Sequence, residues 1–188
     1  MRHVKSFATA TLIAASAISF AAHGQQAEPQ GFWTTPTIQG YGPIHFLPEA
    51  QFKPQADHTY KIVFALTQGS KRPDAVNPAL DHVARTANLY AAAGVPPSHL
   101  KFVAVAYGAA TPLVLDDAHY RAAYGVANPN LALIAELKKA GVTVAVCGQA
   151  VAEHHFSYDS IASDVTLALS GLTTVTTLES DGYVLMPL

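Results

Sequence analysis

Short apolar runs alternate with segments of helical periodicity over most of this chain. Tyr60–Thr67 (YKIVFALT) and Leu100–Tyr107 (LKFVAVAY) are apolar at nearly every position, the pattern of strands covered on both faces. Between them, Asn77-Pro78 is a helix start, with Asn as cap and Pro in the first turn. Leu80, Val83, Ala84 and Ala87 then recur at helical spacing, and Gly94 ahead of Pro96-Pro97 stops the helix. Leu113–Tyr124 reads as a short helix. Asn128-Pro129 repeats the start signal, Leu131, Ile134 and Leu137 form an apolar face, and Gly141 ends it. Val142–Val146 is a third buried strand, running into Cys147 and Gly148, and Gln149–His155 reads as a short helix. Val165–Leu169 is a fourth strand. In Gly171–Asp181, four threonines favour a strand, but Leu172, Val175 and Leu178 recur every third residue and Gly182 is placed as a stop, so a helix is predicted. Tyr183–Met186 closes the series. Strands alternating with helices predict an α/β fold with a parallel sheet between helical layers.

The first 58 residues break this rhythm. Met1–Gly24 has a basic start (Arg2, Lys5), an apolar run Phe7–Ala22 rich in Ala, Ser and Thr, and small residues before Gln25-Gln26. That is the layout of a cleaved export signal and predicts a periplasmic or secreted protein. No later segment has the ~20 uninterrupted apolar residues of a membrane-spanning helix. Residues 25–58 carry Pro29, Pro36, Pro43, Pro48 and Pro54 among Phe32, Trp33, Ile44, Phe46 and Leu47. The prolines exclude regular helix and interior strand, while the aromatics argue for an extended arm lying on the domain or on a neighbouring subunit. Residues 59–188 form the α/β domain proper.

Composition narrows the function classes. Loss of residues 1–24 removes Arg2 and Lys5 from the 11 Lys and Arg, leaving 9 against 13 Asp and Glu, a net charge of −4. Nucleic acid and anionic membrane surfaces are poor partners for such a chain. Half the residues are hydrophobic and 13% are charged, which predicts a full core or surface hidden in a homo-oligomer.

The one cysteine carries the candidate chemistry. Cys147 excludes an internal disulfide, and in an exported chain it is either a free reactive thiol or a partner between molecules. The end of a parallel strand puts it at the carboxyl edge of the sheet, where ligands gather. Gly148 leaves space for close approach, and a following helix start favours a thiolate. His154 and His155, if protonated and folded back, would add to that. The competing reading is a small buried hydrophobe.

Three segments carry a family resemblance: the strand with its cysteine (Gly141–Gln149, GVTVAVCGQ), the Asn-Pro helix ending Lys138-Lys139-Ala140-Gly141, and the closing Leu178–Pro187 (LESDGYVLMP). Together, over roughly Tyr60–Leu188, they resemble the DsrE/DsrF-like proteins, most closely the exported branch. The resemblance implies a three-layer αβα fold around a mostly parallel five-stranded sheet, assembled as trimers or hexamers. It also implies a sulfur carrier or transferase that holds sulfane sulfur as a persulfide on Cys147, with a sulfur donor or acceptor (a protein or a small sulfur compound) as partner and no cofactor. Two positions depart from the family pattern. Glu153-His154-His155-Phe156 stands where cytoplasmic carriers have an Arg-Gly pair, and Tyr107 precedes Gly108 where many relatives have a histidine. Tyr107 still reaches the sheet edge, with a hydroxyl able to bond a ligand. The alternative is a non-catalytic oligomeric binding or assembly module with Cys147 packed.

Other constellations read as structural. A metal site of Cys147, His154 and His155 is disfavoured because adjacent helical residues point about 100° apart. Asp116 and Asp117, beside His119, are dipole-favoured charges at a helix start. Ser70, Lys71 and Arg72 form a loop without the glycine spacing of a phosphate cradle, with at most a weak pull on anions near Cys147. His82 is expected to be partly buried on the first helix.

Overall fold

The structure, a computed structural model, describes residues 28–188. The expected export signal and the first residues of the arm lie outside the described residues. Five strands, β1 (Tyr60–Leu66), β2 (Leu100–Ala106), β3 (Thr143–Cys147), β4 (Thr166–Ala168) and β5 (Val184–Pro187), form one sheet in the order β4-β3-β2-β1-β5. Every pairing is parallel. Five α-helices connect them: α1 (Pro78–Ala92), α2 (Asp117–Tyr124), α3 (Leu131–Lys139), α4 (Gly148–Glu153) and α5 (Gly171–Ser180). Among the described residues no helix is long and apolar enough to cross a membrane.

Alternation along the strands divides the core. Ile62, Phe64 and Leu66 of β1, Phe102, Ala104 and Ala106 of β2, and Val144 and Val146 of β3 form one cluster with Leu80, Val83 and Ala87 of α1 and Leu133, Ile134 and Leu137 of α3. The intervening Val63, Ala65, Val105, Ala145 and Cys147 are also buried but lie on the opposite face, where α5 packs over β1 and β2. The architecture is three-layer αβα. Cys147 therefore belongs to the α5 side of the sheet.

The helix starts differ from one another in mechanism. Asn77 caps α1 as expected, its Oδ1 accepting from Ala79 N and Leu80 N. Asn128-Pro129 does not repeat this role, and α3 begins at Leu131. The Asn128 Nδ2 instead donates to the carbonyls of Leu113 and Leu115, and its Oδ1 accepts from Asn130 N and Nδ2. The single helix expected over Leu113–Tyr124 is split. A 3-10 segment over Gly108–Val114 ends where Leu115 turns extended and bridges Ile161, after which Asp116 caps α2. In α5 the threonines are accommodated by donating to the preceding turn, Thr174 to Ser170 O and Thr176 to Leu172 O, which removes the competition that favoured a strand. His82, expected partly buried, is exposed.

The proline-rich arm is folded onto its own domain. Thr34 and Ile44 exchange two backbone hydrogen bonds, Phe32 stacks on His45, and Ile38 and Ile44 are buried. The seat is α1. Asn88 Oδ1 accepts from Thr37 N (3.0 Å) and Ile38 N (2.8 Å), while its Nδ2 donates to Tyr41 O (2.9 Å) and Gly42 O (3.0 Å). Gly42 N donates to Asp81 Oδ1. Only glycine fits at 42: φ is +55°, and a Cβ there would lie 2.1 Å from Arg85 N.

Candidate functional site

The carboxyl edge of β3 delivers Cys147 to the floor of an open cleft of about 380 Å³. The strand ends there because Cys147 is itself the N-cap of α4: its Sγ accepts a hydrogen bond from Ala150 N at 3.4 Å. Cys147 is 6% exposed. The sulfur is thus held by a backbone N–H in the first turn of α4. Tyr107 and Gly108 from the end of β2, Gln149 and Glu153 from α4, and Ser170, Gly171 and Leu172 from the start of α5 complete the wall.

The α5 wall follows from sheet order. Because β4 pairs with β3, with Ala168 opposite Cys147, the β4–α5 turn lies beside the thiol. Ser170 caps α5 by accepting from Leu172 N. Gly171 packs against the Tyr107 ring so closely that a Cβ would sit 2.9 Å from Tyr107 Cδ1. Gln149 Nε2 donates to Leu169 O across the same gap. Leu172 in the wall stands 77% exposed, and Leu169, whose carbonyl Gln149 bonds, 74%.

Of the four residues singled out from sequence, Cys147 and Tyr107 line the cleft, while the two histidines do not. His154 is the C-cap of α4, and its Nε2 lies 2.9 Å from the Gly108 carbonyl, with the ring stacked on Phe156. It braces the β2 turn, and among the described residues no hydrogen bond joins it to the sulfur. His155 leaves the helix with φ +56° and is exposed. α4 is thus shorter than the Gln149–His155 reading, ending at Glu153. Among the described residues no three His, Cys, Asp or Glu side chains come together as a metal site.

Gly148 also has a different reason from the one its sequence position suggests. A Cβ there would meet Ala168 O at 2.9 Å and Leu169 O at 3.4 Å, so the close approach it permits is that of β4. The Ser70–Arg72 loop lies elsewhere. Ser70 borders a separate cavity of about 160 Å³ with Tyr120 and Tyr124, and Arg72 pairs with Asp74 at 3.2 Å. Burial pushes both tyrosine hydroxyls up, Tyr120 further by the neighbouring Tyr124 and Asp74. The aspartates behave as helix-start charges. Asp116 is held below the usual carboxylate range by the His119 N–H and then the His119 ring, and Asp117 by the Arg121 guanidinium and then Asn128 N.

The DsrE/DsrF-like family model matches residues 61–188. This chain belongs to that family. Its fold is similar to the structure of a protein of unknown function from Methanobacterium thermoautotrophicum, with a TM-score of 0.51 and 17% identity over 69% of this chain and 99% of that one. None of the curated proteins matches. The match begins at the second residue of β1 and takes in every wall of the cleft. The arm seated on α1 lies outside it.

Proposed function

We propose that this DsrE-family chain binds and relays sulfane sulfur as a persulfide on Cys147. The observation that carries the reading is a capped thiol, its Sγ bonded by Ala150 N, at the floor of an open cleft at the carboxyl edge of the sheet. In the proposed step the Cys147 thiolate attacks the outer sulfur of a donor R–S–SH. The donor S–S bond breaks, R–S⁻ leaves with the electron pair, and Cys147 carries –S–SH. Attack by an acceptor thiolate on that outer sulfur regenerates the Cys147 thiolate. One neutral sulfur atom moves, with no net oxidation. The amide that caps the thiolate serves equally for the leaving thiolate in the return step.

The reading includes export by the N-terminal signal and a homo-oligomer, trimer or hexamer, that covers the exposed leucines. A non-catalytic assembly module is the second reading, favoured by the low exposure of Cys147 and by Leu167, Leu169 and Leu172 around it. The test is intact mass after incubation with a persulfide donor. The expected result is the gain of one sulfur atom by wild type, removable by a reducing thiol and absent from Cys147→Ser. No gain in a protein whose Cys147 is alkylated under the same conditions would leave the assembly module. Light scattering of both proteins reads the oligomer.

A further inference from the structure

The walls of the Cys147 cleft carry a charge asymmetry that bears on what can enter. Glu153, one helical turn beyond Ala150, is the only charged residue among the described residues that line it, and no lysine or arginine does. The remaining walls are neutral: the Tyr107 ring, the Gln149 amide turned toward Leu169 O, Ser170 engaged with Leu172 N, and Leu172. The favourable interactions for negative charge sit at the floor, where Ala150 N meets the sulfur. A helix N-terminus offers about half a charge, and that falls off within a turn. A donor therefore meets two environments. The sulfur end lies by the Ala150 amide at Cys147, and the acidic side chain of Glu153 lies elsewhere along the wall.

We propose that Glu153 is a specificity-determining residue that turns anionic donors away, so that the cleft takes sulfane-sulfur compounds whose distal end is uncharged or cationic. This deepens the persulfide reading and rests on it. Sulfonate-terminated donors such as thiosulfate place negative charge against Glu153, while an aminoalkyl persulfide does not. An exposed carboxylate that lines the cleft is worth about threefold to tenfold in relative rate between ligands of opposite sign. Salt weakens it, because the mouth is open to solvent.

The lone cysteine makes the test direct. The full chain is treated separately with three methanethiosulfonates, bearing a methyl, a trimethylammonioethyl or a sulfonatoethyl group. In each case the Cys147 thiolate attacks the sulfenyl sulfur, methanesulfinate leaves with the electron pair, and a mixed disulfide forms. Rates are read by intact mass and divided by those of the same chain in denaturant. The normalised cation-to-anion ratio is expected to be about threefold to tenfold in wild type, near one in Glu153→Gln, and inverted in Glu153→Lys. A wild-type ratio at or below one, or a ratio unchanged in Glu153→Gln, overturns the proposal. Because Glu153 is exposed, both variants are expected to fold. Sulfur uptake from a persulfide donor is measured on the same samples. Uptake without charge preference removes the filter and leaves the carrier, and charge preference without uptake removes the carrier.

Discussion

Asn88→Ala separates the arm from the domain it is seated on. The Asn88 side chain is completely buried and uses its whole amide on the arm: two acceptor bonds from Thr37 N and Ile38 N, and two donor bonds to Tyr41 O and Gly42 O. Truncation leaves four backbone groups without partners. Those at Ile38 N and Gly42 O are the buried pair, and each costs about 1–3 kcal/mol when orphaned, whereas water reaches the other two. The direct loss is thus about 2–6 kcal/mol. A ceiling applies, because the arm can detach and let all four groups meet water. Detachment gives up the burial of Ile38 and Ile44, about 1.5–3 kcal/mol each, and regains chain entropy. Both routes converge on about 3–5 kcal/mol, or about 10 °C in Tm for a domain of this size.

Urea unfolding gives the magnitude, and limited proteolysis with intact-mass readout gives the location. Cleavage within residues 28–58 should accelerate in Asn88→Ala while the sheet domain survives. Gly42→Ala forces a Cβ to 2.1 Å from Arg85 N and should undock the same segment. If both variants act by releasing the arm, the double variant loses much less than the sum of the singles. Full additivity, or an Asn88→Ala loss below about 1 kcal/mol with unchanged arm cleavage, would refute the clasp.

Two further outcomes follow from the geometry. Gly148→Ala drives a methyl against Ala168 O and should cost about 1–3 kcal/mol, while loosening β4 and changing the Cys147 alkylation rate; retention of both wild-type stability and rate would refute the close-approach account. Asp116 is held low by the His119 N–H, so its contribution is present above the ordinary carboxylate range and is lost as pH falls through the lowered folded value. Asp116→Ala should therefore cost about 1 kcal/mol at neutral pH and less at pH low enough to protonate the wild-type carboxyl, whereas Asp116→Asn keeps the cap and flattens that dependence; thermal melts across pH read both.

The parts of the fold that sequence made legible were those fixed within one element. Apolar runs marked β1, β2 and β3 because strands covered on both faces need no polar side, and Leu172, Val175 and Leu178 marked α5 despite its threonines. What it could not supply was use at a distance. Asn77-Pro78 and Asn128-Pro129 are the same dipeptide, yet only the first caps a helix. The second is drawn into a buried chain in which Asn130 Oδ1 accepts from Asn77 N at 2.7 Å and Asn128 Oδ1 accepts from Asn130 Nδ2 at 2.9 Å, tying the starts of α1 and α3. The same holds for the arm, whose prolines declared it irregular while its clasp partner lay 50 residues away on α1.

The site shows that limit in its consequences for mechanism. Position along the chain brought out Cys147 and Tyr107, but Ser170 and Leu172 join them only because β4 lies beside β3, while Glu153 comes in from the end of α4. Gly148, in sequence the natural opening beside the thiol, is filled by the carbonyls of Ala168 and Leu169. That side is closed. On the proposed reading, a sulfur donor enters through the cleft that Tyr107, Glu153 and Leu172 line. The histidines that stood in for the missing Arg-Gly pair are off this path, His154 on the Gly108 carbonyl and His155 in solvent. On the proposed reading, Glu153→Gln should change donor preference, while His154→Ala, which takes the ring from the Gly108 carbonyl, should affect the β2 turn.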